Sequence, residues 1–286
     1  MHMRRTASTP LLVLTSLVLA GCGSVTAVSG EQQTAPAGEV IGRGTVMQQS
    51  PDAQVELCTG PVLTSYPPQC GGPRLLGEFS WDDVDFEEHA GVRWTDEWYV
   101  AIGQYDAAAN TFTLTRPLAL EPPSEFTFPD PEPVEFPQLC DDPFRGGDPD
   151  FEDPDLRLQS TFQERLERLP GFVESWVSDG ERMFNVVVTG DAEQAHADLR
   201  TAWPGGLCVE QRDGPTGEDL QSASDALVDD AQDLGLVTWS VMHGRLDIEA
   251  VHADDVVVAR IHDLVRPWLT PDDVDVRSVF VPLPPR

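Results

Sequence analysis

Gly171-Phe172-Val173-Glu174-Ser175-Trp176-Val177-Ser178-Asp179-Gly180 is echoed 64 residues later by Gly235-Leu236-Val237, then Val241 and Gly244. Moving outward, the same offset pairs Phe184 with Ile248, Val187 with Val251 and Asp191 with Asp255, and Trp203 meets Trp268 one position out of step. Agreement at so many positions reads as two copies of one unit, 155–214 and 215–286. In each copy the quoted run is a strand entered from a glycine and leaving into a hairpin turn.

Each copy reads helix, strand, strand, helix, strand. In the first, Leu158, Phe162, Leu166 and Leu169 recur at helical spacing and Pro170-Gly171 ends the helix. Strands follow at 172–177 and 183–188. Asp191 then caps a helix carrying Ala195, Leu199 and Trp203 on one face, and 207–210 returns as a strand. In the second, Leu220, Ala223, Leu227, Ala231 and Leu234 form the first helical stripe, 237–242 and 246–251 a hairpin around Gly244. Asp254 or Asp255 caps a helix with Val257, Ile261, Leu264 and Trp268, and 274–281 is the last strand. Three strands with two helices on one face bury little alone, so the copies are expected to pair helices or to extend one sheet.

Upstream the periodicity changes. Between 39 and 120, β-branched and aromatic runs at 40–47, 55–57, 74–79, 94–105 and 111–116 are separated by Gly, Pro, Asp and Asn. Five short strands in so short a stretch predict a small β-barrel resembling the OB class. The expected fold class is therefore α+β: a barrel-like N-terminal domain followed by a duplicated αββαβ domain. Residues 121–154 hold nine prolines among acidic groups and read as an extended linker, with Phe126, Phe128 and Phe136 packing along a neighbouring domain.

The chain carries 49 acidic against 18 basic residues, a formal net charge of −31, and no lysine. Such a surface repels phosphate backbones and anionic headgroups, which argues against nucleic acid as a partner. Beyond Cys22 the cysteines are Cys58, Cys70, Cys140 and Cys208. Four cysteines in an exported chain predict two disulfides, for which three pairings exist. Cys58 and Cys70 flank a Pro-Pro turn, which favours a local bridge and leaves Cys140 for Cys208.

At the N-terminus, Arg4 and Arg5 precede an apolar run, 11–20, too short to span a bilayer, and small residues follow it. Leu19-Ala20-Gly21-Cys22 resembles the lipobox of bacterial lipoproteins. The resemblance implies removal of residues 1–21, acylation of Cys22, a flexible tether over 22–38, and a site of action on the extracytoplasmic face of the membrane. The order of elements after 155, with Val186-Val187-Val188-Thr189-Gly190, resembles tandem BON domains of bacterial envelope proteins, a family linked to phospholipid or membrane surfaces. The whole chain resembles uncharacterised actinobacterial lipoproteins through Pro67-Pro68-Gln69-Cys70-Gly71-Gly72, Pro137-Gln138-Leu139-Cys140, Val188-Thr189-Gly190-Asp191 and Leu207-Cys208-Val209. This likeness implies an architecture and an address, and no activity.

No nucleophile elbow, His-Glu-x-x-His, phosphate loop or dinucleotide fingerprint is present in the sequence. The acidic run Asp82, Asp83, Asp85, Glu87 and Glu88 with His89, and the series Asp148, Asp150, Glu152, Asp153 and Asp155, lack the spacing of a calcium loop and read as solvated segments. His196, His243, His252 and His262 are scattered over helices and strand ends. Trp176, Trp203, Trp239 and Trp268 recur near element ends as core anchors. Catalytic, metal and cofactor-binding residues are accordingly expected to be none. A non-catalytic role is expected, binding or organising an envelope protein or small ligand. The alternatives are a ligand- or lipid-binding module using the groove between the repeats and, third, an envelope hydrolase.

Overall fold

The computed structural model describes residues 38–284, apart from 62, 64, 130–132, 154, 155 and 181. Cys22, its preceding peptide and the tether up to residue 37 lie outside the described residues. The first seven strands are β1 (Val40–Gln48), β2 (Val55–Cys58), β3 (Arg74–Leu76), β4 (Glu87–His89), β5 (Val92–Trp94), β6 (Tyr99–Asp106) and β7 (Thr111–Leu114). Five of them close a barrel. β1 pairs antiparallel with β6 along its first half and with β2 along its second; β2 pairs with β3, β3 runs parallel to β7, and β7 pairs back to β6. The β4–β5 hairpin extends the end of β1, with Met47 opposite Trp94.

Alternation explains the barrel core. Val40 and Val46 on β1, Leu57, Leu75, Ala101, Phe112 and Leu114 meet inside it. The other face of β1 is also covered. Ile41 packs with Val100 and Ile102 under Phe126 and Phe128, and Met47 packs with Cys58 and Trp94. The run 94–105 is two strands rather than one. Thr95 interrupts it: its backbone N–H donates to the Val46 carbonyl, and its hydroxyl accepts the Val46 N–H at 2.9 Å and donates to the Glu97 carbonyl. The chain thereby leaves β1 at Met47 and rejoins it at Gly44 as β6.

The second half is α1 (Arg157–Leu166), β8 (Phe172–Val177), β9 (Phe184–Val188), α2 (Ala192–Arg200), β10 (Leu207–Gln211), α3 (Gly217–Ala226), β11 (Leu236–Met242), β12 (Arg245–Ala250), α4 (Asp255–Val265) and β13 (Val274–Ser278). These are the four α-helices among the described residues. Each three-stranded sheet has its middle strand antiparallel to the strand before it and parallel to the strand after it. Gly171 and Gly235 follow their helices at φ of 70° and 62°, and Gly180 and Gly244 turn the hairpins at 78° and 70°. Only glycine takes that backbone without strain, which is why these positions stand out in the sequence.

The sheets neither merge nor simply face each other. On the first, Phe184, Val186 and Val188 pack with Phe162, Leu166, Ala195, Leu199 and Trp203 under α1 and α2. Its opposite face presents Val173 and Val187 to a different cluster, where Leu220, Ala223 and Leu227 join Leu246, Ile248, Ile261 and Val265. The α3 face therefore fills the space between the sheets. Two details depart from the strict 64-residue offset. Asp254, not Asp255, caps α4, accepting from the Val256 and Val257 N–H groups. Trp203 is 1% exposed and Trp268 39%, while Leu269 is turned inward instead.

The proline-rich segment is fastened down. Leu139 N–H donates to Asn185 Oδ1 at 2.8 Å, Trp176 Nε1 donates to the Pro137 carbonyl at 2.8 Å, and Arg200 donates to the Pro143 carbonyl at 2.9 Å. Cys140 is bonded to Cys208 on β10. The run 274–281 ends early, at Ser278, because the chain turns to drive Phe280 into the barrel. Phe280 has no exposure and lies 4.6 Å from Phe112 and 5.4 Å from Tyr105, ring to ring. β14 (Val281–Pro282) then adds to β1. Barrel and second α/β unit share one core, which also takes in Val251. Gly42 makes room for it, since a Cβ there would stand 2.4 Å from Phe280 Cδ1.

Candidate functional site

A cleft of about 750 Å³ opens where the barrel meets the second α/β unit. One wall is the barrel: the Thr59–Pro61 and Gly71–Gly72 ends of the loop clasped by the Cys58–Cys70 disulfide, and the β6–β7 hairpin from Tyr105 to Asn110. The other wall is the α3–β11 connection, 232–237, with Val257 and Arg260 of α4. Val237 and Val251 form an apolar floor continuous with the shared core. At Gly60 the walls come close, a Cβ there lying 3.0 Å from a Val237 methyl.

The polar groups around the cleft are held in place. Tyr105 hydroxyl donates to Asn110 Oδ1 at 3.3 Å. Burial, and then the neighbouring Asp106, push the Tyr105 phenol above its ordinary value, so it stays protonated at neutral pH. With Oδ1 engaged, the Asn110 amide nitrogen keeps two donors. His252 Nδ1 lies 3.3 Å from the Phe280 carbonyl, and Arg260 is ion-paired with Asp230. Among the described residues, the side chains of Gln232 and Asp233 have no protein hydrogen-bond partner.

The space between the two α/β units is small, about 60 Å³, beside Val173, Val187, Arg212 and His243. That volume suits a few water molecules rather than a ligand. Another hollow, about 520 Å³, lies beside α1 near Asp153 and Arg182, but both are used internally. Asp153 accepts the Gln159 N–H and Arg182 donates to the Phe151 carbonyl.

The sequence candidates are dispersed. Cys58 is joined to Cys70 and Cys140 to Cys208. Two disulfides are the mark of a chain folded in an oxidising, extracytoplasmic compartment. No helix among the described residues is long and apolar enough to cross a membrane. Glu88 pairs with Arg93 at 2.7 Å, and Ser80 caps the turn through Asp82 and Asp83. Asp148 accepts the Asp150 N–H within its own turn. Among the described residues no group of three or more His, Cys, Asp or Glu is placed to hold a metal ion. His243 occupies the hairpin turn at positive φ. His196 is buried on α2, its Nε2 without a hydrogen-bond partner among the described residues. Burial, then Arg145 and Arg200, hold its imidazole below the ordinary value, with Glu193 opposing. Trp176 and Trp239 are partly buried, Trp239 donating to Ser224 Oγ at 3.2 Å.

The groups that do converge were not singled out by any motif: Tyr105, Asn110, Gln232, Asp233, His252 and Arg260. They come from both halves of the chain, and the docking of the second α/β unit on the barrel, through Phe280, Val251 and the pairing of β14 with β1, brings them together. No protein-family model matches the chain, and no curated protein matches it.

Proposed function

We propose that this chain is an exported, membrane-tethered, non-catalytic binding protein that takes its ligand in the cleft between the barrel and the second α/β unit. The cleft carries the reading: its volume falls in the range of small-ligand sites. Its walls are also preformed, because they share a core and the disulfide clasps one of them. The ion pair of Arg260 and the contact of His252 with a backbone carbonyl support binding over turnover. We place the ligand here rather than between the repeats on grounds of volume. The matching strand order and directions support two copies of one αββαβ unit, similar to BON domains, which supply the rigid frame.

The proposed tether is an acyl group on Cys22 in a Leu-Ala-Gly-Cys lipobox. Two acyl chains hold stably at a bilayer where one does not. Growth with a palmitate analogue should label the wild type and not Cys22→Ala; equal labelling overturns the tether. The cleft is tested by native mass spectrometry of protein released from its own envelope. Wild type should retain a small-molecule adduct that Ala108→Trp, which fills the cleft mouth, does not. Identical spectra would count against the cleft.

A further inference from the structure

The chemistry of this cleft, once read as a ligand site, also limits what enters it. Among the described residues, Asp233 and Arg260 are the only formally charged ones that line it, and Arg260 is already paired with Asp230, so the lining offers no net positive charge within a chain carrying −31. An anionic ligand would meet the repulsion of the surrounding protein with no cationic patch to offset it. A cation would meet one uncommitted carboxylate, Asp233, beside an Arg260–Asp230 pair that is already satisfied.

The uncommitted groups are of one kind. Asn110 offers its amide nitrogen, Gln232 an amide, Asp233 a carboxylate and Arg260 the part of its guanidinium not facing Asp230. All are planar, and planar groups with two adjacent donors or acceptors match neighbouring hydroxyls on a ring. Behind them lie the Tyr105 ring and the Val237–Val251 floor, apolar surfaces suited to the C–H face of such a ring. A purely aliphatic ligand would cover the polar groups without pairing them, which costs free energy for each. We infer that the cleft accepts a neutral, polyhydroxylated ligand: a sugar or short oligosaccharide segment.

This inference rests on the cleft being the ligand site, and the experiment separates the two. The acylated protein in detergent is titrated calorimetrically with maltotriose, cellotriose and triacetylchitotriose, and fluorimetrically with the uncharged apolar dye N-phenyl-1-naphthylamine. At least one trisaccharide should bind saturably, about tenfold more weakly to Asn110→Ala and to Gln232→Ala, and not to Ala108→Trp. Dye binding lost in Ala108→Trp, with no trisaccharide bound, overturns the sugar inference and leaves the cleft standing. Trisaccharide binding untouched by all three substitutions places the sugar elsewhere and overturns it as well. If neither probe binds, both readings fall.

Discussion

Replacing Phe280 with alanine removes the side chain that locks the second α/β unit into the barrel. The ring is fully buried and touches Phe112 and Tyr105, and the space around it is walled by backbone at Gly42, so collapse into the hole is restricted. Truncation of a buried phenylalanine costs about 3–5 kcal/mol. For a body of this size about 4 kcal/mol lowers Tm by roughly 8–16 °C. Gly42→Ala perturbs the same contact from the other side, since its Cβ would stand 2.4 Å from Phe280 Cδ1, an overlap worth about 1–3 kcal/mol. The two changes should not add: with the ring gone the new methyl has room, and the double variant should be about 0.5–3 kcal/mol more stable than the sum of the single losses. Urea unfolding followed by tryptophan fluorescence and far-UV circular dichroism measures all four proteins. A loss below about 1 kcal/mol for Phe280→Ala, or strict additivity in the double variant, would refute a shared core.

Other consequences can be checked on the same preparations. Replacing Cys58 and Cys70 by serine should cost about 3 kcal/mol on the loop-entropy account, and replacing Cys140 and Cys208 about 4 kcal/mol, because the second bridge closes the longer loop; equal urea midpoints with and without reductant would contradict this. Asn185→Ala orphans the Leu139 N–H and should cost about 1–3 kcal/mol. It should also expose 137–151 to limited proteolysis, and an unchanged cleavage pattern would show that the segment is held otherwise. For His196 the folded-state value lies below the unfolded one, so the unfolded chain takes up the proton first as pH falls. Its contribution is full above its ordinary value of 6.5 and is lost as pH falls through that value towards the lower folded one. The stability of wild type relative to His196→Gln should therefore shrink as pH is lowered through that window, and a constant difference would contradict the burial argument.

Local chemistry was legible where it has a local cause. Strict alternation at Thr111-Phe112-Thr113-Leu114 and the cap at Asp191 each follow from a neighbour or two in sequence, and the structure has a strand and a cap there, whereas α1 already ends at Leu166, ahead of the stop expected at Pro170-Gly171. The five runs of the first half became the five barrel strands for the same reason, with the interruption at Thr95 hidden because a threonine inside a β-branched run looks like more strand. What could not be read is set by distance along the chain. Phe280 looks like one more apolar residue of a terminal strand, and only the room left by Gly42 makes it the plug of a barrel more than two hundred residues upstream. The cleft follows from that docking. Asn110 and Gln232, ordinary loop residues by type and setting, face the same space solely because the halves meet there.

The most direct test of the ligand cleft is amide hydrogen exchange on the protein isolated from its own envelope, before and after unfolding and refolding to strip bound molecules. Exchange at 59–61, 106–110 and 232–237 should be slower in the native isolate than in the stripped protein, with the α1–α2 face unchanged. Identical exchange across all three segments would contradict a ligand in the cleft.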